Sequence, residues 1–322
     1  MSQAVVLIAG PTASGKSALA LALACRLDGV VINADSMQVY RELPVLTAQP
    51  GPLARATVPH RLYGVLSALD ECSVGRWLEL AQAEIHAALR VGKTPVVIGG
   101  SGLYLRALCE GIAPVPRVPV AVRQAVADRL LAHGLPALFA ELRARDPRMA
   151  ARLRPSDPQR IARALEVLDA TGESLADWQR VGHRPPEFGV PLVAGILQWP
   201  RAELYRRCDA RFVEMLAAGA LGEADGYRAQ GVPEGRPLSR ALGLRPLLRH
   251  LEGALPLEAA IAAAQQETRR YAKRQLTWFR NKMMSWNPIE AQECNNFIAN
   301  PLSFLTQYRL TPANRGTKLP AR

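Results

Sequence analysis

Residues 4–27, AVVLIAGPTASGKSALALALACRL, decide the fold. An apolar run from Ala4 to Ala9 reads as a short buried strand. It stops at Gly10-Pro11-Thr12-Ala13-Ser14-Gly15-Lys16-Ser17, and an alanine- and leucine-rich helical stretch follows. The spacing is G-x-x-x-x-G-K-[ST], in the strand–loop–helix setting that a phosphate-binding loop requires. Glycines let the chain turn tightly enough for its N–H groups to face a phosphate. Lys16 adds a positive charge, Ser17 offers its hydroxyl to Mg²⁺, and the helix start contributes the positive end of its dipole. At average glycine content the bare spacing arises by chance in roughly one chain of this length per hundred. The flanking strand and helix lower that further, so Gly10 to Ser17 are candidate phosphate binders and Ser17 the candidate metal ligand.

Working outward, residues 30–33, 95–98 and 192–198 are further short apolar runs, and helical patterns stand between them. Strands alternating with helices predict an α/β fold with a parallel, doubly wound sheet flanked by helices. In such sheets ligands sit beyond the carboxyl ends of the strands. Three polar clusters fall on that edge: the P-loop, Asp35-Ser36-Met37-Gln38 after the second strand, and Gly99-Gly100-Ser101-Gly102 after the third.

The strand pattern stops between about Pro114 and Pro191. Helices are predicted near 119–133, 136–145, 158–171 and 173–181; Asp157-Pro158 reads as an N-cap with proline at the first helical position, and Gly172 as the stop. The expected organisation is a discontinuous P-loop core over 1–113 and 191–282, an all-helical insertion over 114–190, and a poorly ordered tail over 283–322. Helices near 201–218 and 256–282 close the core.

The chain has 322 residues, 49% hydrophobic and 21% charged, which fits a globular protein rather than a disordered one. No apolar run approaches a membrane span, and the apolar N-terminus runs straight into the P-loop, as a core strand does and a signal peptide does not. Five scattered cysteines without C-x-x-C spacing predict reduced thiols in a cytoplasmic protein, and the dispersed histidines suggest no metal cage. The net charge of +12 is uneven: the balance is +1 over residues 1–110, +3 over 111–200, +5 over 201–280 and +3 over 281–322. A basic excess outside the P-loop region fits a polyanionic partner such as a nucleic acid; the alternative is an arginine-rich surface that only confers solubility. The 261–282 segment carries six basic residues against one acid. There Arg269/Lys273 and Arg270/Arg274 share faces at i,i+4, and Tyr271 and Trp278 lie seven apart on one stripe, as core packing requires.

From residue types alone Asp35 has three readings: a general base, a carboxylate for Mg²⁺, or an N-cap. Ser101, in Gly-Gly-Ser-Gly, either approaches a ligand closely or sits in a plain turn. A P-loop by itself does not separate a kinase, an ATPase and other diphosphate binders.

GPTASGKS at 10–17, INADSMQVYR at 32–41, GGSGLY at 99–104, DPQRIARALEV at 157–167, TGES at 171–174 and TRRYAKRQLTWF at 268–279 occur in that order. Together they closely resemble the tRNA dimethylallyltransferase family over about residues 4–280. The resemblance implies transfer of a dimethylallyl group from dimethylallyl diphosphate to N6 of the adenosine just 3′ of the anticodon, with Mg²⁺ as cofactor. The P-loop would then hold the allylic diphosphate in place of ATP. It implies Asp35 as the base, with Ser101 and Arg123 also in the catalytic set. It further implies tRNA contacts at Asp35, Ser36, Met37, Gln38, Ser101, Arg123, Gln159, Arg160, Ile161, Ala162 and Arg163, and a helical insertion that clasps the anticodon stem-loop. A monomer without membrane partners is expected. Ser101 stands where the family usually has threonine, Pro59-His60-Arg61-Leu62 replaces a usual double-histidine motif, and Leu244 stands where tyrosine is common.

Two rivals stay open at this point. A P-loop small-molecule kinase needs a second acid after another strand, and Val96-Val97-Ile98-Gly99-Gly100 offers none. A GTPase-like RNA-binding module needs a guanine-reading N-K-x-D, which the chain lacks.

Overall fold

Six strands build one sheet in the computed structural model, which describes residues 3–300 together with Ser303, Phe304 and Gln307. They are β1 (Val5–Ala9), β2 (Gly29–Asn33), β3 (His60–Arg61), β4 (Thr94–Gly99), β5 (Leu192–Gln198) and β6 (Asn287–Glu290). Their order is β3-β2-β4-β1-β5-β6, and every pairing is parallel. β1, β2 and β4 are buried almost throughout, which is why they read as unbroken apolar runs rather than alternating ones.

Register sets the site. Ala9, the last residue of β1, is level with Gly99, the last of β4, and with Ile196 of β5; Asn33, the last of β2, is level with Ile98. The P-loop, the Asp35 turn and the Ser101 turn therefore leave the same edge. β4 lies between β2 and β1, so the Ser101 turn emerges between the other two, each one strand spacing of about 4.8 Å away.

Helix Lys16–Arg26 covers β1 and β4 with a stripe of Leu19, Ala20, Leu23 and Ala24, all buried. It packs with Val6, Ile8, Val96, Ile98 and Phe297 in one apolar core. On another part of the sheet, helix Val74–Arg90 starts at Ser73, whose hydroxyl accepts the Arg76 N–H, and buries Trp77 against Tyr104 with ring centroids 4.5 Å apart.

The chain divides into two compact units, residues 110–186 and the remainder; the bounds expected for the insertion were 114–190. The 110–186 unit is all helical apart from a single bridge between Ile112 and Arg184. Its first long helical run, Val120–Arg145, is broken at Gly134, where φ is 74° and Pro136 follows. Helix Pro158–Thr171 is capped by the Asp157 carboxylate, which accepts the Arg160 N–H at 3.1 Å, and ends at Gly172. Leu138, Leu142, Ile161 and Leu165 form the centre of this unit's own core.

The expected tail over 283–322 needs correction. Residues 287–290 add β6 to the sheet beside β5, and helix Ala291–Ala299 buries Cys294 and Phe297 behind a capping box formed by Glu290 and Glu293. One buried residue, Ile289, is enough to seat so short an edge strand, too little for a periodicity to register. Beyond residue 300 only Ser303, Phe304 and Gln307 of that stretch are among the described residues. All five cysteines are free thiols. Among the described residues no helix is long and apolar enough to cross a membrane.

Candidate active site

The loop after β1 turns through Ala13 at φ 61° and Gly15 at φ 84°, and helix Lys16–Arg26 begins immediately. A left-handed residue at the helix entry is cheap only for glycine. No side chain caps this helix, so its first N–H groups are left for an anion. Lys16 folds back with Nζ donating to the Pro11 carbonyl at 3.2 Å. Burial, assisted by the Arg211 charge, brings its ammonium down from an ordinary 10.5 to about 8, with Asp35 opposing the shift.

The loop is braced from outside. Arg207 Nε donates to the Ala13 carbonyl at 2.8 Å while its guanidinium stacks 4.2 Å from the centre of the Trp199 ring, and Trp199 Nε1 donates to the Ser14 carbonyl at 2.8 Å. Arg211, one turn after Arg207 on helix Arg201–Ala217, reaches the Thr12 hydroxyl at 3.4 Å. Its guanidinium is held below its ordinary pKa by burial. From the far side, Gln275 Oε1 accepts the Thr12 N–H at 2.9 Å.

The Asp35 turn is held locally. Asn33, fully buried, accepts the Asp35 N–H at 2.8 Å and donates to the Asp35 and Leu62 carbonyls, each at 3.0 Å. Asp35 Oδ1 accepts the Met37 N–H at 2.9 Å, so one carboxylate oxygen shapes the turn. Gln38 donates to the Thr47 and Ala48 carbonyls, fixing the loop opposite. Ser101 joins the third cluster: its Oγ accepts the Ser36 N–H at 2.9 Å and donates to Ser36 Oγ at 3.2 Å.

These elements enclose a cavity of about 280 Å³. Its cationic lining is Lys16, Arg211, Arg240 and Arg274, with Asp35 the one carboxylate. Leu46, Phe212, Met215 and Leu242 give an apolar section. Tyr271 also lines it, its phenol pushed up by burial and by the Asp35 charge. A space with a cationic cradle, a single base and an apolar wall suits a small amphiphilic anion with a hydrocarbon part. Among the described residues no group of three histidine, cysteine or acidic side chains gathers to form a metal cage. Ser17 and Asp35 both line the cavity, and hard oxygens in such small number fit a Mg²⁺ ion that arrives with phosphate oxygens and keeps its waters.

Of the residues expected from sequence, Thr12, Lys16, Ser17, Asp35, Ser36, Met37 and Gln38 line this one cavity, and Ser101 is bonded to Ser36 beside it. Arg123 and residues 159–163 lie in the other unit. Gln159 and Arg160 are exposed, and Ala162 and Arg163 half-buried. Ile161 needs correction: it is fully buried in its unit's core, so its side chain serves packing and is withdrawn from the tRNA-contacting set. Arg269 pairs with Asp209 at 2.5 Å, while Arg160 pairs with Asp157 and Arg163 with Glu166, each at 3.3 Å. The sequence reading missed Arg207, Arg211, Trp199 and Gln275. The i,i+4 spacing of Arg207 and Arg211 was the available signal for a shared face.

With this geometry in hand, comparison with known proteins is decisive. The family model described as IPP transferase matches residues 38–282, and that described as isopentenyl transferase matches 3–63. The chain is 53% identical over 290 residues to a tRNA dimethylallyltransferase of Rhodospirillum centenum, covering 90% of this chain and 92% of that one. It is 51% identical to one of Parvibaculum lavamentivorans, covering 95% and 97%. Among solved structures, a tRNA isopentenylpyrophosphate transferase of Bacillus halodurans superposes with a TM-score of 0.66 at 31% identity, covering 95% and 98%. A eukaryotic dimethylallyltransferase acting on tRNA superposes at 0.80 and 25%, covering 97% and 82%. The small-molecule-kinase alternative is not favoured, and the chain belongs to the IPP transferase family, the prenyl-transferring enzymes of tRNA modification.

Proposed function

We propose that the cavity binds dimethylallyl diphosphate and joins its allylic carbon to N6 of the adenosine just 3′ of the anticodon. The helix-start N–H groups, Lys16 and Arg211 hold the diphosphate, while Leu46, Phe212, Met215 and Leu242 face the hydrocarbon. Asp35 takes the proton that N6 loses as the new C–N bond forms; its Oδ2 is the oxygen not engaged by the Met37 N–H. The C1–O bond to diphosphate breaks, and the negative charge that builds on the leaving group meets fixed cations and N–H dipoles. Ser17 would hold Mg²⁺ together with diphosphate oxygens, where the ion supplies further charge neutralisation. Ser36, Met37, Gln38 and Ser101 position the purine, which leaves its stack to enter the site.

Exposed Gln159 and Arg160, half-buried Ala162 and Arg163, and Arg123 carry tRNA contacts from the helical unit, which reads the shape of the anticodon stem-loop. The enzyme works as a cytoplasmic monomer. The observation that carries this reading is the cavity shared by the P-loop and the Asp35 turn, lined by both cationic and apolar side chains. Labelled dimethylallyl diphosphate, Mg²⁺ and unmodified tRNA test it: label enters the adenosine 3′ of the anticodon. Vigorous ATP hydrolysis with no label in tRNA would overturn it.

A further inference from the structure

The 268–279 stretch contains one residue that neither its basic face nor tRNA binding accounts for. Gln275 lies in helix Leu257–Lys282, only 5% exposed. Its amide is divided between two backbones. Oε1 accepts the Thr12 N–H of the P-loop at 2.9 Å, and Nε2 donates to the Gly100 carbonyl, beside Ser101, also at 2.9 Å. One side chain thus ties together turns that leave β1 and β4, across sequence separations of 263 and 175.

Its helix neighbours reinforce the seat. Tyr271, one turn earlier on the same helix, lines the cavity. Trp278, on the following turn, lies so close that a Cβ at Gly102 would fall 2.2 Å from the indole Cδ1. A Cβ at Gly100 would fall 2.3 Å from Gln275 Nε2. Residues 271, 275 and 278 share one helical face, and that face rests on the Gly100–Gly102 turn with no room for an intervening side chain.

We propose that Gln275 is a positioning residue for the transfer. It fixes the separation between the loop that holds the diphosphate and the Ser101–Ser36 pair beside Asp35, so that leaving group and base act across one carbon. The role rests on the site assignment made above. It also explains the residue type. The two backbones present one donor and one acceptor, and only a primary amide answers both with a single side chain of this length. Glutamate offers two acceptors and sets a carboxylate against the Gly100 carbonyl. Methionine keeps the length and offers neither bond. Because Gln275 occupies the Thr12 N–H, that amide is turned from the phosphate, and the loop grips with the N–H groups nearer the helix.

The test uses the full chain with Gln275→Met and Gln275→Glu, reading the single-turnover rate with both substrates saturating, the two KM values and the melting curve. A misplacement of about 1 Å costs on the order of 10²-fold in rate, so both variants should lose about that at neutral pH with each KM within threefold. The rate of Gln275→Glu relative to wild type should climb as pH falls, because the protonated carboxyl regains one donor beside one acceptor. A lowered melting temperature with an unchanged single-turnover rate would overturn the proposal. So would a raised KM with an unchanged rate, or a Glu-to-wild-type ratio flat with pH. If Gln275→Met does not fold, the pH ratio of Gln275→Glu decides; if neither folds, Gln275 is a folding residue and the proposal is lost. Wild-type protein that leaves tRNA unlabelled would instead sink the site assignment, whatever Gln275 does.

Discussion

The turn that carries Asp35 and the loop that carries Lys16 leave neighbouring regions of one sheet edge, yet they are held in opposite ways. Asp35 is fixed largely by residues within two positions of it: Asn33 brackets its backbone, and its own Oδ1 takes the Met37 N–H. From farther along the chain come the two bonds between Ser36 and Ser101, 65 residues on, and the bond from Asn33 to the Leu62 carbonyl, 29 residues on. The P-loop takes its braces from Trp199, Arg207, Arg211 and Gln275, between 185 and 263 residues away. The base turn is encoded where it stands, whereas the shape of the P-loop depends on the whole fold having closed. Changes far from either substrate should therefore reach the diphosphate end more readily than the base end.

The largest effect should come from the locally held side. Asp35→Asn keeps an oxygen for the Met37 N–H, so the turn survives while the base is removed. Loss of a positioned base costs about 10²–10⁴-fold, and transfer should fall by that factor with tRNA affinity unaltered. Transfer that persists while tRNA binding collapses would take the base assignment away and leave Asp35 as a turn former.

Next comes the remote brace that also faces the substrate. Arg211→Ala removes a half-buried cation from the cavity and the contact to Thr12. A hydrogen bond to a charged group contributes about 1.5–3 kcal/mol, so dimethylallyl diphosphate should bind roughly 10–100-fold more weakly by equilibrium titration. An unchanged affinity would mean that the P-loop needs no help from helix Arg201–Ala217.

Lys16 gives a pH signature of the same dependence. Its pKa is lowered to about 8 by burial and by Arg211, and the diphosphate favours the charged form. The proton is therefore present in the free enzyme below about 8 and increasingly absent above it. Diphosphate affinity should be level below that point and fall above it, by up to tenfold per pH unit. In Lys16→Arg, which does not titrate there, this component should vanish. A wild-type profile level through pH 9 would show that the loop leaves Lys16 in an ordinary environment.

The same contrast explains what could be read from sequence. Features written in consecutive residues were legible: strands β1, β2, β4 and β5 as apolar runs, the P-loop by its spacing, and helix Pro158–Thr171 by Asp157, Pro158 and Gly172. The two helices expected at 119–133 and 136–145 meet at Gly134 within one run. Strands β3 and β6 were missed because two and four residues at sheet edges carry almost no pattern. Asp35 and Ser101 were found as polar residues at strand ends. Gln275 and Trp199 were not, because a glutamine or tryptophan on an amphipathic surface looks the same whether or not a distant carbonyl awaits it. Ile161 was placed with its neighbours in a contact motif, although helical spacing alone sends it inward with Ala164 and Leu165.

The smallest effects separate the two modes of support most sharply. Trp199→Phe keeps a ring for Arg207 and loses only the bond from Nε1 to the Ser14 carbonyl. One neutral hydrogen bond is a net 0.5–1.5 kcal/mol or so, so diphosphate affinity should fall about two- to tenfold. Asn33→Ala, in contrast, strands a buried N–H and two carbonyls that now bond within the fold. Its cost is about 1–3 kcal/mol of stability, seen as a lower melting temperature and a slower transfer, because Asp35 loses its bracket. Diphosphate affinity should stay within twofold, since no P-loop brace passes through Asn33. If Asn33→Ala weakens the diphosphate as much as Trp199→Phe does, the two loops are not held independently. Their support must then run through Ser101 and Gly100, the stretch of chain that touches both Ser36 and Gln275.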